Sequence, residues 1–289
     1  MRASRRFLQL DVFAHRPGTG NPLAVVIDAQ DLDSAAMQAL ANWTNLSETA
    51  FLLPPSRPEA SYRVRIFTPR QELPFAGHPS VGSAHAALAA GLTVPTDGRL
   101  IQECAAGLLP VRIEGHGASQ RVFVRSPPSR MVGGDADPRA LAEALDGLAL
   151  GNLPATITDN GPRWWVVELA SEAAVREMVP NLAAIAALTL STSAVGLAVF
   201  AHSTQAGHQL AVRAFCPADG IPEDPVTGSV NAAIGAWLQH NGALRSPRYI
   251  ASQGREIGRD GMVEVEVEAS GDAWIGGQTQ TVVEGTLTW

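Results

Sequence analysis

A glutamate at the mouth of an apolar run is the first residue of this chain equipped for chemistry. In Asn45-Leu46-Ser47-Glu48-Thr49-Ala50-Phe51, Glu48 stands where a β-strand is expected to begin. A carboxylate entering an apolar strand is costly unless it is exposed or used. Two other places pair a titratable residue with a proline, His78-Pro79 and Asp224-Pro225. Each is followed by a Gly-Ser step, Gly82-Ser83 and Gly228-Ser229, expected to open a helix. First-turn N–H groups, with the helix dipole behind them, hold anions. One such step alone reads as an ordinary helix start; the matched pair favours a site for a small anion. The set offers a carboxylate that is either exposed or used, together with a place for a small anion.

Other chemistries are excluded by what the chain lacks. All of its 21 basic residues are arginine, which removes Schiff-base catalysis and the Walker A loop. The seven histidines offer no H-x-x-x-H or H-E-x-x-H, and Cys104 lies far from Cys216, so no metal site is expected. There is no G-x-S-x-G elbow and no strand followed by G-x-G-x-x-G. A net charge of −7 argues against a nucleic-acid partner. No apolar run reaches membrane-spanning length. Asp11 interrupts any leader-like stretch after the basic start, and two cysteines make no disulfide framework; a cytoplasmic protein is expected. Trp164, Trp165 and His85 read as core.

These residues need a frame, and the chain carries one twice. Val64-Arg65-Ile66-Phe67-Thr68-Pro69 and Val212-Arg213-Ala214-Phe215-Cys216-Pro217 share the pattern V-R-x-F-x-P. Downstream, 77–88 aligns with 223–234, setting His78-Pro79 over Asp224-Pro225 and Gly82-Ser83 over Gly228-Ser229, with the extra residues in the first half. Upstream, 23–27 aligns with 164–168 and 48–53 with 194–199, which sets Ala194 opposite Glu48. With 289 residues, two related domains are expected. Strands are expected at 7–13, 23–27, 49–53, 62–67, 108–113 and 121–124, then at 155–159, 164–169, 195–201, 208–215, 263–267 and 280–287. Surface helices are expected at 34–42, 138–145 and 171–179. The segments 83–90 and 229–239 carry no formal charge, so they are expected to be helices buried on every side. The fold class is α+β, each domain a curled sheet around a central buried helix, and not a doubly wound sheet. Turn-rich residues from 126 to 138 mark the boundary.

Taken together, several motifs resemble the PhzF family of phenazine-biosynthesis-like isomerases. They are Gly20-Asn21-Pro22, Asn45-Leu46-Ser47-Glu48-Thr49, Arg65-Ile66-Phe67-Thr68-Pro69, Glu72-Leu73-Pro74-Phe75-Ala76-Gly77-His78-Pro79, Glu223-Asp224-Pro225-Val226-Thr227-Gly228-Ser229, Gln253-Gly254 and Gly276-Gly277. The resemblance covers nearly the whole chain. It implies a diaminopimelate-epimerase-like fold whose last segment returns to the first domain, hence domains of 1–125 plus 278–289 and of 126–277. It also implies a proton shift within a small cyclic carboxylate, without metal or organic cofactor, in a homodimer. Glu48 would be the acid/base, supported by His78, Asp224 and Ser229. Gly77, Gly82, Ser83, Thr227 and Gly228 would bind the substrate, in a cleft faced by both helix N-termini. Epimerases of this fold use a cysteine from each half, whereas the matching stretches here carry none. The chain reads Gly258-Arg259-Asp260 where the family often has Gly-Arg-Pro. An amino-acid or proline-type epimerase working through Glu48 and Asp224, or a non-catalytic acid-binding protein, are the alternatives on the same frame.

Overall fold

The structure is a computed structural model that describes residues 4–133 and 138–289. In chain order the elements are β1 (Ser4–Val12), β2 (Asn21–Val26), α1 (Ser34–Thr44), β3 (Thr49–Leu53), β4 (Tyr62–Phe67), β5 (Glu72–Leu73), α2 (Gly77–Ala89), β6 (Arg99–Cys104), β7 (Gly107–Glu114) and β8 (Arg121–Arg125). There follow β9 (Arg130–Met131), α3 (Pro138–Ala144), β10 (Thr156–Asp159), β11 (Arg163–Glu168), α4 (Glu172–Glu177), α5 (Leu182–Ser191), β12 (Gly196–His202), β13 (Leu210–Cys216), β14 (Ile221–Asp224), α6 (Gly228–His240), β15 (Arg248–Gln253), β16 (Gly261–Val267), β17 (Ala273–Gly277) and β18 (Thr279–Thr288). The chain forms two compact units, one of residues 1–125 with 276–289 and one of 126–275.

In the first unit β1 pairs antiparallel with both β2 and β18. Next, β2 runs parallel to β3, β3 antiparallel to β4, β4 antiparallel to β5 and parallel to β6, and β6 antiparallel to β7. The parallel β2–β3 pair needs a crossover, and α1 supplies it. Met37, Leu40 and Ala41 of α1 pack on Val26, Phe51 and Phe67, covering one face of the sheet. Alternate residues point to the other face, where α2 sits against β1, β2, β3, β4, β8 and β18. With both faces covered, β3 loses the usual alternation, and Thr49, Ala50, Phe51 and Leu52 are all buried. Most residues of a helix so enclosed are small, and at Gly82 the space is tight. A Cβ added to Gly82 would lie 2.5 Å from Leu23 Cδ2 and 3.0 Å from Val12 Cγ2.

The second unit repeats this order of pairings. β10 is antiparallel to β11, β11 parallel to β12, β12 antiparallel to β13, β13 antiparallel to β14 and parallel to β15, and β15 antiparallel to β16. Here α4 and α5 make the crossover, and Val175, Ile185 and Leu188 pack with Trp165, Val167, Leu197, Val199 and Phe215. The inner helix α6 packs against β10, β11 and β16 and buries ten residues from Gly228 to Leu238. The expected burial of both uncharged helices is observed over most of their length, with Ala89 exposed at the end of α2.

The start of α2 differs from expectation. It begins at Gly77, not at Gly82-Ser83. Proline fits the first turn of a helix, where no N–H is needed, so His78-Pro79 is taken into the helix instead of preceding it.

Candidate functional site

The first unit holds Glu48. Helix α1 stops at Asn45, whose left-handed conformation (φ 54°) ends the helix, and the Thr44 and Thr49 hydroxyls meet at 2.8 Å. This turn delivers Glu48 to the first position before β3. Its Oε2 lies 3.4 Å from His78 Nε2, with side chains 17% and 7% exposed. Burial pushes the Glu48 carboxyl up to about 7, opposed by a hydrogen bond from Ser47. The Ser47 hydroxyl also reaches Asn21 Oδ1 at 3.4 Å. The loop carrying Asn21 is tied down by buried Asp11, whose Oδ2 accepts the Thr19 and Gly20 amides at 2.8 and 3.0 Å. Asn21 belongs to the Gly20-Asn21-Pro22 motif, but nothing in the sequence ties it or Asp11 to the Ser47-Glu48 turn.

The second unit holds the other group. Asp224 ends β14 and Ser229 is the second residue of α6. Gln253 organises the turn between them. Its Oε1 accepts from Thr227 N–H at 3.0 Å and from Asn231 Nδ2 at 3.1 Å. Its Nε2 donates to Asp224 O at 3.1 Å and to Thr227 Oγ1 at 2.9 Å. The amide orientation is fixed because a backbone N–H only donates and a backbone carbonyl only accepts. Thr227 Oγ1, receiving Gln253, gives its own proton to Asp224 Oδ2. Likewise Ser229 Oγ accepts the Trp164 indole N–H at 3.1 Å, and Ser229 O accepts Asn160 Nδ2 at 2.8 Å. Trp164 is core, as expected, at 3% exposure, yet its one donor serves the site. Asn160 carried no signal in the sequence.

Helix geometry reassigns three correspondences. Gly77 and Gly228 are each the first helical residue of α2 and α6, so Gly77 matches Gly228 and His78 matches Ser229. His78 does not match Asp224. The longer lead-in belongs to the second half, which inserts a 3-10 turn at Pro217–Asp219. Gly82 and Ser83 lie a turn further into α2, fully buried, where N–H groups are spent on the helix; their expected role as first-turn anion donors is corrected. The strand registers also move Glu48's counterpart. Thr49 pairs with Phe67, and Leu197 with Phe215, so with V-R-x-F-x-P superposed Glu48 corresponds to Gly196, not Ala194. At Gly196 a Cβ would stand 2.4 Å from both Phe215 O and Trp164 Cζ3. One half thus keeps a carboxylate where the other fills the space with Trp164. Gly196→Ala is expected to destabilise the protein by about 3 kcal/mol in urea unfolding, because backbone must move.

Neither inner helix carries a side-chain cap at its N-terminus. Ala76 has no acceptor, and the Thr227 hydroxyl is turned to Asp224. Among the described residues no group of His, Cys, Asp and Glu is arranged to hold a metal, and no helix is long and apolar enough to cross a membrane.

A family model described as phenazine biosynthesis-like protein, PhzC-PhzF, matches residues 10–285. The chain belongs to this family. The trans-2,3-dihydro-3-hydroxyanthranilate isomerase of Pseudomonas aeruginosa is a relative 34% identical over 268 residues, covering 92% of each chain. The crystal structure of a phenazine biosynthesis protein of the PhzF family from Bacillus anthracis matches with a TM-score of 0.86 at 26% identity, over 99% of this chain and 100% of that one. A probable proline racemase from Agrobacterium radiobacter shares the fold at 15% identity, with a TM-score of 0.67 over 98% of this chain and 93% of its own. The phenazine biosynthesis-like family and the diaminopimelate-epimerase-like fold implied by the motifs are therefore the ones found.

Proposed function

We propose that this phenazine biosynthesis-like protein is an isomerase that moves a proton between two carbons of a small, cyclic carboxylic acid, with Glu48 carrying the proton. The observation that supports this most is the buried Glu48 carboxyl, pushed up to about 7 and 3.4 Å from His78. A group titrating near neutrality both takes a proton from carbon and gives one back, which a shift within one molecule requires. His78 is placed to share that proton or to hold the carboxyl in line.

The partners follow from hydrogen-bond polarity. Trp164 N–H is a donor only, so the Ser229 hydroxyl that accepts it turns its own proton outward, as a donor to a substrate oxygen. Asp224, fixed by Thr227 and Gln253, is the acceptor that orients a substrate N–H or O–H. The uncapped first turns that open at Gly77 and at Gly228 would stabilise the substrate carboxylate and the charge that develops on it; the N–H and hydroxyl of Thr227 are committed to Gln253 and Asp224, and Gly82 and Ser83 serve the packing of α2 instead. In this reading neither metal nor organic cofactor takes part. The repeated pairing order supports an internal duplication in which only one copy kept a carboxylate. A cytoplasmic homodimer completes the proposal, its dimer tested by light scattering after size-exclusion chromatography.

Trans-2,3-dihydro-3-hydroxyanthranilate, the compound named for the Pseudomonas aeruginosa relative, heads a panel of cyclic and amino-acid carboxylates to be followed by proton NMR. The expected result is a constitutional isomer of at least one of them. An epimeric product, or a mirror-image product seen by chiral chromatography of the same samples, would on its own support an epimerase, and no conversion by either readout across the panel would support an acid-binding protein.

A further inference from the structure

Arg213 is a buried cation to which the proposed reaction assigns no step. Its side chain is 5% exposed. The guanidinium grips Glu223 with two parallel bonds, Nε to Oε1 at 3.0 Å and Nη2 to Oε2 at 2.8 Å. Its remaining nitrogen, Nη1, donates to Val175 O at 3.2 Å and Met178 O at 2.6 Å, at the end of α4. The guanidinium lies over the Phe215 ring, 5.0 Å from its centroid. Glu256 Oε2 stands 4.0 Å from Nε, and Arg176 holds Glu256 from the other side at 3.2 Å. All three nitrogens are therefore engaged, two of them with Glu223 and the third with the end of α4.

The residue after Glu223 is Asp224. Its strand, β14, is short and meets β13 at only two registered pairs, Ala214 with Asp224 and Cys216 with Ile221, with an irregularity between them. A ladder that sparse fixes a backbone poorly, and the Arg213–Glu223 fork supplies the missing anchor. The first unit carries the same fork in another setting. Arg65 grips Glu72 through Nε to Oε1 at 2.7 Å and Nη2 to Oε2 at 2.6 Å, and lies over Phe67. That pair is 20% and 35% exposed, and the residue after Glu72 is Leu73, which has no chemistry to place. A buried ion pair adds little to stability over a well-packed apolar pair of the same size. Burial of the fork in the half where a carboxylate follows it calls for another explanation.

We propose that Arg213, through Glu223, is a positioning residue that fixes the Asp224 carboxylate against Thr227 for substrate orientation. The inference rests on the proposed role of Asp224. Lysine cannot form the two-bond fork, so Arg213→Lys tests it, with Glu223→Gln as a gentler second variant, Arg65→Lys as the control and Asp224→Asn alongside. Crystal structures of the variants and turnover of trans-2,3-dihydro-3-hydroxyanthranilate are the readouts. In Arg213→Lys and Glu223→Gln the Asp224 carboxylate is expected to move by about 1 Å off Thr227, and kcat to fall about a hundredfold while KM stays nearly constant. Arg65→Lys is expected to change neither. An unmoved Asp224 in both variants overturns the proposal, whatever the melting temperature does. A displaced Asp224 with Asp224→Asn at parental activity upholds the positioning by Arg213 and overturns the role of Asp224 instead.

Discussion

Glu48→Gln is expected to fold as the parent does and to lose turnover by two to four orders of magnitude, roughly the contribution of a positioned acid/base. Glutamine keeps the shape, the place beside His78 and the capacity to accept from Ser47, but it takes no proton. No other carboxylate occupies the corresponding place in the second half, because that place is Gly196 with the Trp164 ring against it. The residual activity is therefore expected to be independent of pH near neutrality, while the parent's kcat/KM changes through the Glu48 titration at about 7. A parental rate in Glu48→Gln would remove Glu48 from the mechanism.

The same substitution is expected to stabilise the protein in alkaline solution. Burial raises the folded-state pKa of Glu48 above that of the unfolded chain. Below the ordinary carboxylate range both states hold the proton, and the contribution of Glu48 to stability is fully present. Between that range and about 7 the unfolded chain releases its proton while the folded chain keeps it, so the parent loses stability as pH rises. Glutamine never ionises. The stability difference between Glu48→Gln and the parent should therefore grow from its acid value by about 3 kcal/mol in favour of the variant by about pH 8. Urea unfolding of both proteins across this range measures it; a difference that stays flat with pH would mean that Glu48 is not held in a desolvated site. A site group that costs stability in its charged form is what selection for activity leaves behind.

Much of the frame was legible because it is written in hydrophobic pattern. The run 62–67 gave β4 to the residue, and the uncharged 83–90 and 229–239 stretches gave both buried helices. What escaped were elements whose pattern is ambiguous when short. Arg99–Cys104 and Arg248–Gln253 mix charge with apolar residues as freely as a loop does, and apolar Leu182–Ser191 lacks the polar face of a surface helix. The Gly-Ser step and the uncharged run after it point to a start of α2 at Gly82-Ser83, whereas Pro79 sits inside a first turn that opens at Gly77. Gly82 then looked like an anion-binding glycine, whereas close packing against Leu23 and Val12 accounts for it. Glu48 stands out in one dimension because a carboxylate at the mouth of an apolar strand is conspicuous. Asn160, Trp164 and Gln253 could not be placed that way: each reaches the Asp224–Ser229 turn across the fold, by a hydrogen bond whose partner is remote in sequence.

The most direct test of the central claim is the position of deuterium in the product. Trans-2,3-dihydro-3-hydroxyanthranilate, or the member of the carboxylate panel that is turned over, is incubated in D2O with the parent and with Glu48→Gln, and the products are read by NMR. A proton shift carried by Glu48 predicts an isomer with deuterium at a carbon that bore no exchanging proton before, and no such label with the variant. Deuterium only at the carbon that lost the proton, or equal labelling by Glu48→Gln, would contradict it.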